Sequence, residues 1–178
     1  MQTLNPQYSV IRLGKDSGDD ITTLDSHHGS PRIPIRFTVS CNQVSQTISK
    51  NDYSFFYLGS DNSKGLPTLW KKGIRAFGKI IGKSGGPKYA DKWFVEVEIK
   101  VVLPESVSKK DLLSKAPKEY YWLSDLPIIG IDSYSNQTIQ LIKDKEQSQS
   151  IEALFQALAK IHPEFKRQVE TSYPELSE

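Results

Sequence analysis

The chain holds a single cysteine, Cys41, among its 178 residues, so no disulfide can form within it and a cysteine-based zinc site is excluded. Such usage points to a reducing cytoplasm. Cys41 itself reads as a small buried apolar residue rather than a nucleophile. Histidine is also scarce. Nothing at metal-ligand spacing accompanies His27 and His28, which read as solvated loop residues, and His162 stands apart. No run approaches the ~18 apolar residues of a membrane span, and the N-terminus lacks the basic-then-apolar pattern of a secretion signal. The expectation is a cytoplasmic protein with no membrane partner. Internal repeats and low-complexity tracts are lacking too. A complete phosphate-binding loop is missing by one position. Gly78 to Ser84 reads G-K-I-I-G-K-S, and the motif needs glycine where Phe77 stands. The Gly85-Gly86-Pro87 that follows cannot open the required helix. No cofactor or metal is therefore expected.

What is present describes one globular domain, with hydrophobic residues at 37% and charged residues at 25%. A net charge of +2 is too small to imply a polyanionic partner, so its distribution decides. Between positions 64 and 92 stand Lys64, Lys71, Lys72, Arg75, Lys79, Lys83, Lys88 and Lys92, against one acid, Asp91. Concentrated positive charge of this kind suits a phosphate-tracking groove.

Patterning gives a β-rich reading. Tyr8–Leu13 is strand-like and precedes a loop rich in glycine and aspartate. Ile33–Val39 alternates, with Pro34 marking an edge or entry position. Tyr53–Leu58 is an aromatic run that reads as a buried strand. In Gly73–Gly82 alternation places Ile74 and Ala76 on one face and Arg75, Phe77 and Lys79 on the other. Trp93–Val102 is the clearest strand, with Val95, Val97, Ile99 and Val101 facing one way and Pro104 ending it. Ser108 and Asp111 form a capping box that opens a short helix through Leu112 and Leu113. Ile128–Asp132 and Gln137–Ile142 predict a hairpin turning at Ser133–Asn136. Ile151, Leu154, Phe155, Leu158 and Ile161 then recur at helical spacing, with the end near Pro163. The segment 163–178 is a helical extension or a linker.

Two chemistries compete for this scaffold. Glu98-Ile99-Lys100 places a carboxylate and a lysine on one strand face, as in restriction-type nucleases that bind magnesium. That alternative needs an upstream aspartate, Asp61 or Asp91. The other chemistry is binding. Trp70, Phe77, Tyr89 and Trp93 are interleaved with the lysines, and aromatic faces beside cations suit unpaired or extruded bases. Core packing is the competing reading for Phe77 and Trp93, whereas Trp70, inside a polar loop, reads as ligand-facing.

The run Phe55-Phe56-Tyr57-Leu58-Gly59, the loop with Trp70, the strand Gly73-Ile74-Arg75-Ala76-Phe77-Gly78 and the strand Trp93-Phe94-Val95-Glu96-Val97 together resemble the EVE branch of the PUA-like superfamily. The likeness covers roughly residues 53–160, closing on Asn136–Leu141 and the helix after it. It implies an α+β fold, a small twisted β-barrel with flanking helices, spanning 1–162, with 1–52 as an N-terminal extension of unassigned place. It also implies a nucleic-acid reader without catalytic residues, such as the N-terminal specificity module of a McrBC-type, modification-dependent restriction ATPase. Its partner would be DNA, methylated or hydroxymethylated, together with an ATPase and a nuclease subunit. On that reading Lys64, Lys71, Lys72, Arg75, Lys79, Lys83 and Lys88 hold phosphates. A flipped base enters a pocket near Ser60, Asp61 and Asn62, stacked by Trp70 with Trp93 or Trp122. Tyr120-Tyr121-Trp122 forms a further wall or packs in the core.

Overall fold

The computed structural model describes residues 5–27, 29–44, 46–60, 66–123, 138–142 and 147–177. Six strands form one mixed sheet: β1 (Tyr8–Leu13), β2 (Ile35–Cys41), β3 (Tyr53–Leu58), β4 (Gly73–Gly86), β5 (Lys92–Val107) and β6 (Ile139–Leu141), in the order β2-β5-β4-β3-β1-β6. β1 and β3 run parallel and every other pair is antiparallel. Among the described residues no ladder joins β2 to β6, and the sheet is open and twisted. β2 is an edge strand, where the Pro34 preceding it is tolerated.

Apolar side chains leave both faces of this sheet and make two clusters. On one face the helices α2 (Lys109–Lys115), α3 (Pro117–Leu123), α4 (Gln147–Ile161) and α5 (Glu164–Ser172) cover Tyr53, Phe55, Phe77, Val101 and Leu103. Phe77 stacks on Tyr53, centroids 5.6 Å apart and ring planes nearly parallel, and meets Phe155, Phe165 and Tyr173 edge-on. Phe77 is therefore a core residue. Helix α5 and the turn after it bury Phe165, Val169 and Tyr173 in the same cluster. On the other face α1 (Gly18–Asp25) lays Ile21 and Leu24 over Ile11, Phe56, Ala76, Val95, Val97 and Ile99. Sandwiched between these layers, β3 is buried at all six positions.

Several expectations need correcting. The segment after β1 contains α1 where a loop was expected. Strict alternation fails along β4 and β5 because the ladder is bulged. Pairing steps from Gly78↔Ile99 to Phe77↔Val101, leaving Lys100 as the extra residue, so Val101 faces the helical layer while Val95, Val97 and Ile99 face the other. A second irregularity between Ile74 and Ala76 sends those two residues to opposite faces. β5 also runs through Pro104 to Val107. The proline falls where pairing jumps from Ala76↔Val102 to Ile74↔Val107, a bulge in which no ladder donor is required of it. The expected strand 128–132 and turn 133–136 lie outside the described residues. No helix among the described residues is long and apolar enough to cross a membrane.

Candidate nucleic-acid interface

Parallel pairing of β1 with β3 brings two strand ends to one place. Arg12 is the register partner of Tyr57, Leu13 of Leu58, and the Gly59 amide donates to the Leu13 carbonyl at 2.7 Å. β4 starts and β5 ends at the same edge of the sheet, where Ile74 pairs with Val107. Ser108 then caps α2: its hydroxyl accepts from the Asp111 amide, and the Asp111 carboxylate accepts from the Ser108 amide. Between these ends opens a cleft of about 670 Å³, within the range of small-molecule sites.

Tyr57 forms its floor, buried on β3. The guanidinium carbon of Arg12 lies 5.4 Å from the Tyr57 ring centroid, a cation–π geometry. Burial pushes the Tyr57 hydroxyl above its ordinary pKa, and Arg12 opposes that shift. Arg12 can pass close to the backbone because residue 59 is glycine: a Cβ there would stand 3.2 Å from Arg12 Nε and 3.0 Å from the Leu13 carbonyl oxygen. Lys72 closes one side. Helix α2 supplies Lys109, Lys110, Leu113 and Ser114, with Ser108 at its cap, and Ser60 completes the rim. Four cations thus surround the cleft, and among the described residues no carboxylate lines it.

The acidic residues nearest in sequence are committed elsewhere. Asp111 and Glu105 both hold Lys71 Nζ, at 2.8 and 2.9 Å. Burial alone would raise the Asp111 pKa, but Lys71 and Ser108 hold it down to about 2. Lys71 is correspondingly withdrawn from the phosphate role expected of it.

The basic window is dispersed along β4. Lys72 reaches the cleft. Arg75 does not: it is 3% exposed, and its guanidinium donates to the Asp25 carboxylate at 2.8 Å and to the Asp25 and His27 carbonyls at 3.1 and 3.3 Å. That expectation is corrected, because a buried, paired arginine cannot face a phosphate. Lys79 pairs with Glu175 at 2.9 Å and lies over the Tyr53 ring. Lys83 donates to the Ile48 carbonyl at 2.8 Å and lies over Trp93. Lys88 is exposed in the turn joining β4 to β5. Sequence-local charge missed these partners because they lie far along the chain.

The expected aromatic pocket is not assembled from Trp70 and Trp93. Trp70 is half-buried against the core beside the cleft, its indole N–H donating to the Gly59 carbonyl at 2.8 Å. Trp93 sits at the opposite end of β5, paired with Cys41 and Gly85. Asp61, Asn62 and Lys64 lie outside the described residues, as does the side chain of Trp122 on α3. Ser60 is in place. Sequence reasoning overlooked Arg12, Tyr57, Lys109 and Lys110, although the two lysines directly follow a recognised cap.

Glu98 and Lys100 do share a face, 3.4 Å apart, but Glu98 is buried and also bonded to Arg36 Nε at 2.9 Å. Burial raises its pKa, and Arg36 with Lys100 more than offsets that, so the carboxylate is held below its usual range. Asp91 sits in the β4–β5 turn. Among the described residues no three His, Cys, Asp or Glu side chains converge as a metal site.

No protein-family profile matches the chain, and no curated protein does. Solved structures do match. A hypothetical protein from Leishmania major superposes with a TM-score of 0.55 at 9% identity, over 88% of this chain and 97% of that one. A Pseudomonas putida protein superposes with a TM-score of 0.51 at 12% identity, over 85% and 99%. The fold is shared with both. The α+β class expected from the sequence agrees with the sheet and helices described above. Human THYN1 in complex with DNA containing 5-methylcytosine gives a TM-score of 0.48 at 13% identity, over 83% and 96%.

Proposed function

We propose that the cleft at the ends of β1 and β3 binds nucleic acid and reads a modified base flipped out of duplex DNA, without chemistry on it. The observation that carries this reading is the ring of Arg12, Lys72, Lys109 and Lys110 around a buried Tyr57, with no carboxylate in the described lining. Cations lining a cleft attract phosphate, and their attraction is not sequence-specific. Selectivity would come from the interior. The Arg12 guanidinium, stacked on Tyr57, offers a planar platform for a base. Leu113 offers an apolar wall to a methyl group. A role as the specificity module of a restriction or defence system, with ATPase and nuclease partners, belongs to the same proposal and is supported by the family resemblance.

The test is a binding screen at fixed salt and in EDTA, using duplexes that differ only in one base: cytosine, 5-methylcytosine, 5-hydroxymethylcytosine, adenine or N6-methyladenine. One modified duplex is expected to bind more tightly than its unmodified counterpart, with affinity falling as salt rises. Equal affinity for all five sinks the reader, and magnesium-dependent cleavage abolished by Glu98→Ala turns the assignment to a nuclease.

A further inference from the structure

Leu69 is the most exposed large apolar residue among those described, at 95%. Exposed leucines are common and need no purpose when they sit on slack chain. This one does not. The segment carrying it is tied to the fold at Trp70 and Lys71: the Trp70 indole donates to the Gly59 carbonyl at 2.8 Å and Lys71 is clamped by Glu105 and Asp111 at 2.9 and 2.8 Å, while within the segment the Thr68 hydroxyl donates to the Trp70 carbonyl at 2.5 Å. Pro67 restricts the approach further. Leu66, 56% exposed, lies on the same loop. Trp70 turns inward against the core, so its neighbour Leu69 is held outward. Chain on either side of the loop leads into the cleft lining, through Gly59 to Ser60 and through Lys71 to Lys72.

We propose that Leu69 is a wedge that enters the duplex beside the cleft and occupies the gap in the stack left by a flipped base. The proposal rests on the reading of the cleft as a base-binding site. An apolar side chain held outward close in the chain to a cation-lined cleft matches a partner that is anionic outside and apolar between its base planes, which is a nucleic-acid duplex. Preorganisation matters because a wedge that must first be ordered returns less of its contact energy to the unstacking step.

The experiment compares wild-type protein, Leu69→Ser and the size-conserving Leu69→Met on each modified sequence of the screen above. Each is prepared as an intact duplex, as a duplex with the modified base mismatched, and as a single strand. A 2-aminopurine next to the modified base reports unstacking by its fluorescence. Leu69→Ser is expected to lose about tenfold in affinity for the intact duplex, less for the mismatched duplex and nothing for the single strand, with the 2-aminopurine signal abolished. Leu69→Met should behave as wild type. An equal loss on all three substrates, or no loss on any, overturns the wedge and leaves the cleft reading intact. Failure of the wild-type protein to bind any of them overturns the cleft reading itself, and the wedge with it.

Discussion

Arg12 and Tyr57 are register partners on adjacent parallel strands, and the guanidinium of the first lies over the ring of the second at 5.4 Å. The pair converts a strand end into a charged platform. Arg12 is only half-buried, so it presents that charge to the cleft while Tyr57 anchors it to the sheet.

Replacing Arg12 by alanine should therefore weaken nucleic-acid binding with little effect on stability. The cation–π contact is worth about 0.5–1 kcal/mol at such a site, whereas loss of one phosphate contact lowers the slope of log affinity against log salt by about one. A salt titration of wild type and Arg12→Ala measures this. An unchanged slope would mean that Arg12 touches no phosphate.

Arg75 and Asp25 give the opposite expectation. Asp25→Asn leaves a guanidinium in the interior with its compensating charge removed, and removing one partner of such a pair costs about 3 kcal/mol. Because Asp25 is itself partly exposed, this is an upper figure. Chemical denaturation should show the loss, while DNA affinity measured on the folded variant should match wild type. A stable variant with impaired binding would return Arg75 to the interface.

These two arginines also mark how far the sequence could be read. The strands at Tyr8–Leu13, Tyr53–Leu58 and Trp93–Val102, the Ser108 cap and the amphipathic α4 were legible because each is written in local spacing. Arg75 was misplaced because the signals for bulges are weak, and because its acid partner comes from α1, a helix hidden in a stretch of glycine and aspartate. Of the residues lining the cleft, Ser60 and Lys72 were singled out from the loop chemistry around them. Arg12 and Tyr57 were not, since a platform formed by parallel pairing of the first strand with the third depends on register across forty-five residues, and no local pattern encodes it.

Glu175 makes stability depend on pH in a defined window. The Tyr53 hydroxyl donates to its carboxylate at 2.6 Å and Lys79 pairs with it at 2.9 Å, which together hold its pKa at about 2, below the ordinary 4.5. A carboxylate whose pKa is lower when folded contributes stability fully above its unfolded value and loses it as pH falls toward the folded one. The contribution is thus present at pH 7 and disappears between about 4.5 and about 2. Since Glu175 is about half exposed, screening limits it to roughly 1 kcal/mol or less. Denaturation of Glu175→Gln between pH 7 and pH 2 should show a lower plateau and a shallower acid decline. Parallel curves for the two proteins would assign the acid sensitivity to other carboxylates.

Tyr173 closes the aromatic cluster against Tyr53 and Phe77, edge-on to both. Strands near the beginning of the chain and a turn near its end therefore complete one core together. During synthesis, Phe77 and Phe155 emerge from the ribosome before the residues that seal them. A chain made from its N-terminus onward carries this apolar surface uncovered until the helix Glu164–Ser172 and the turn after it have emerged.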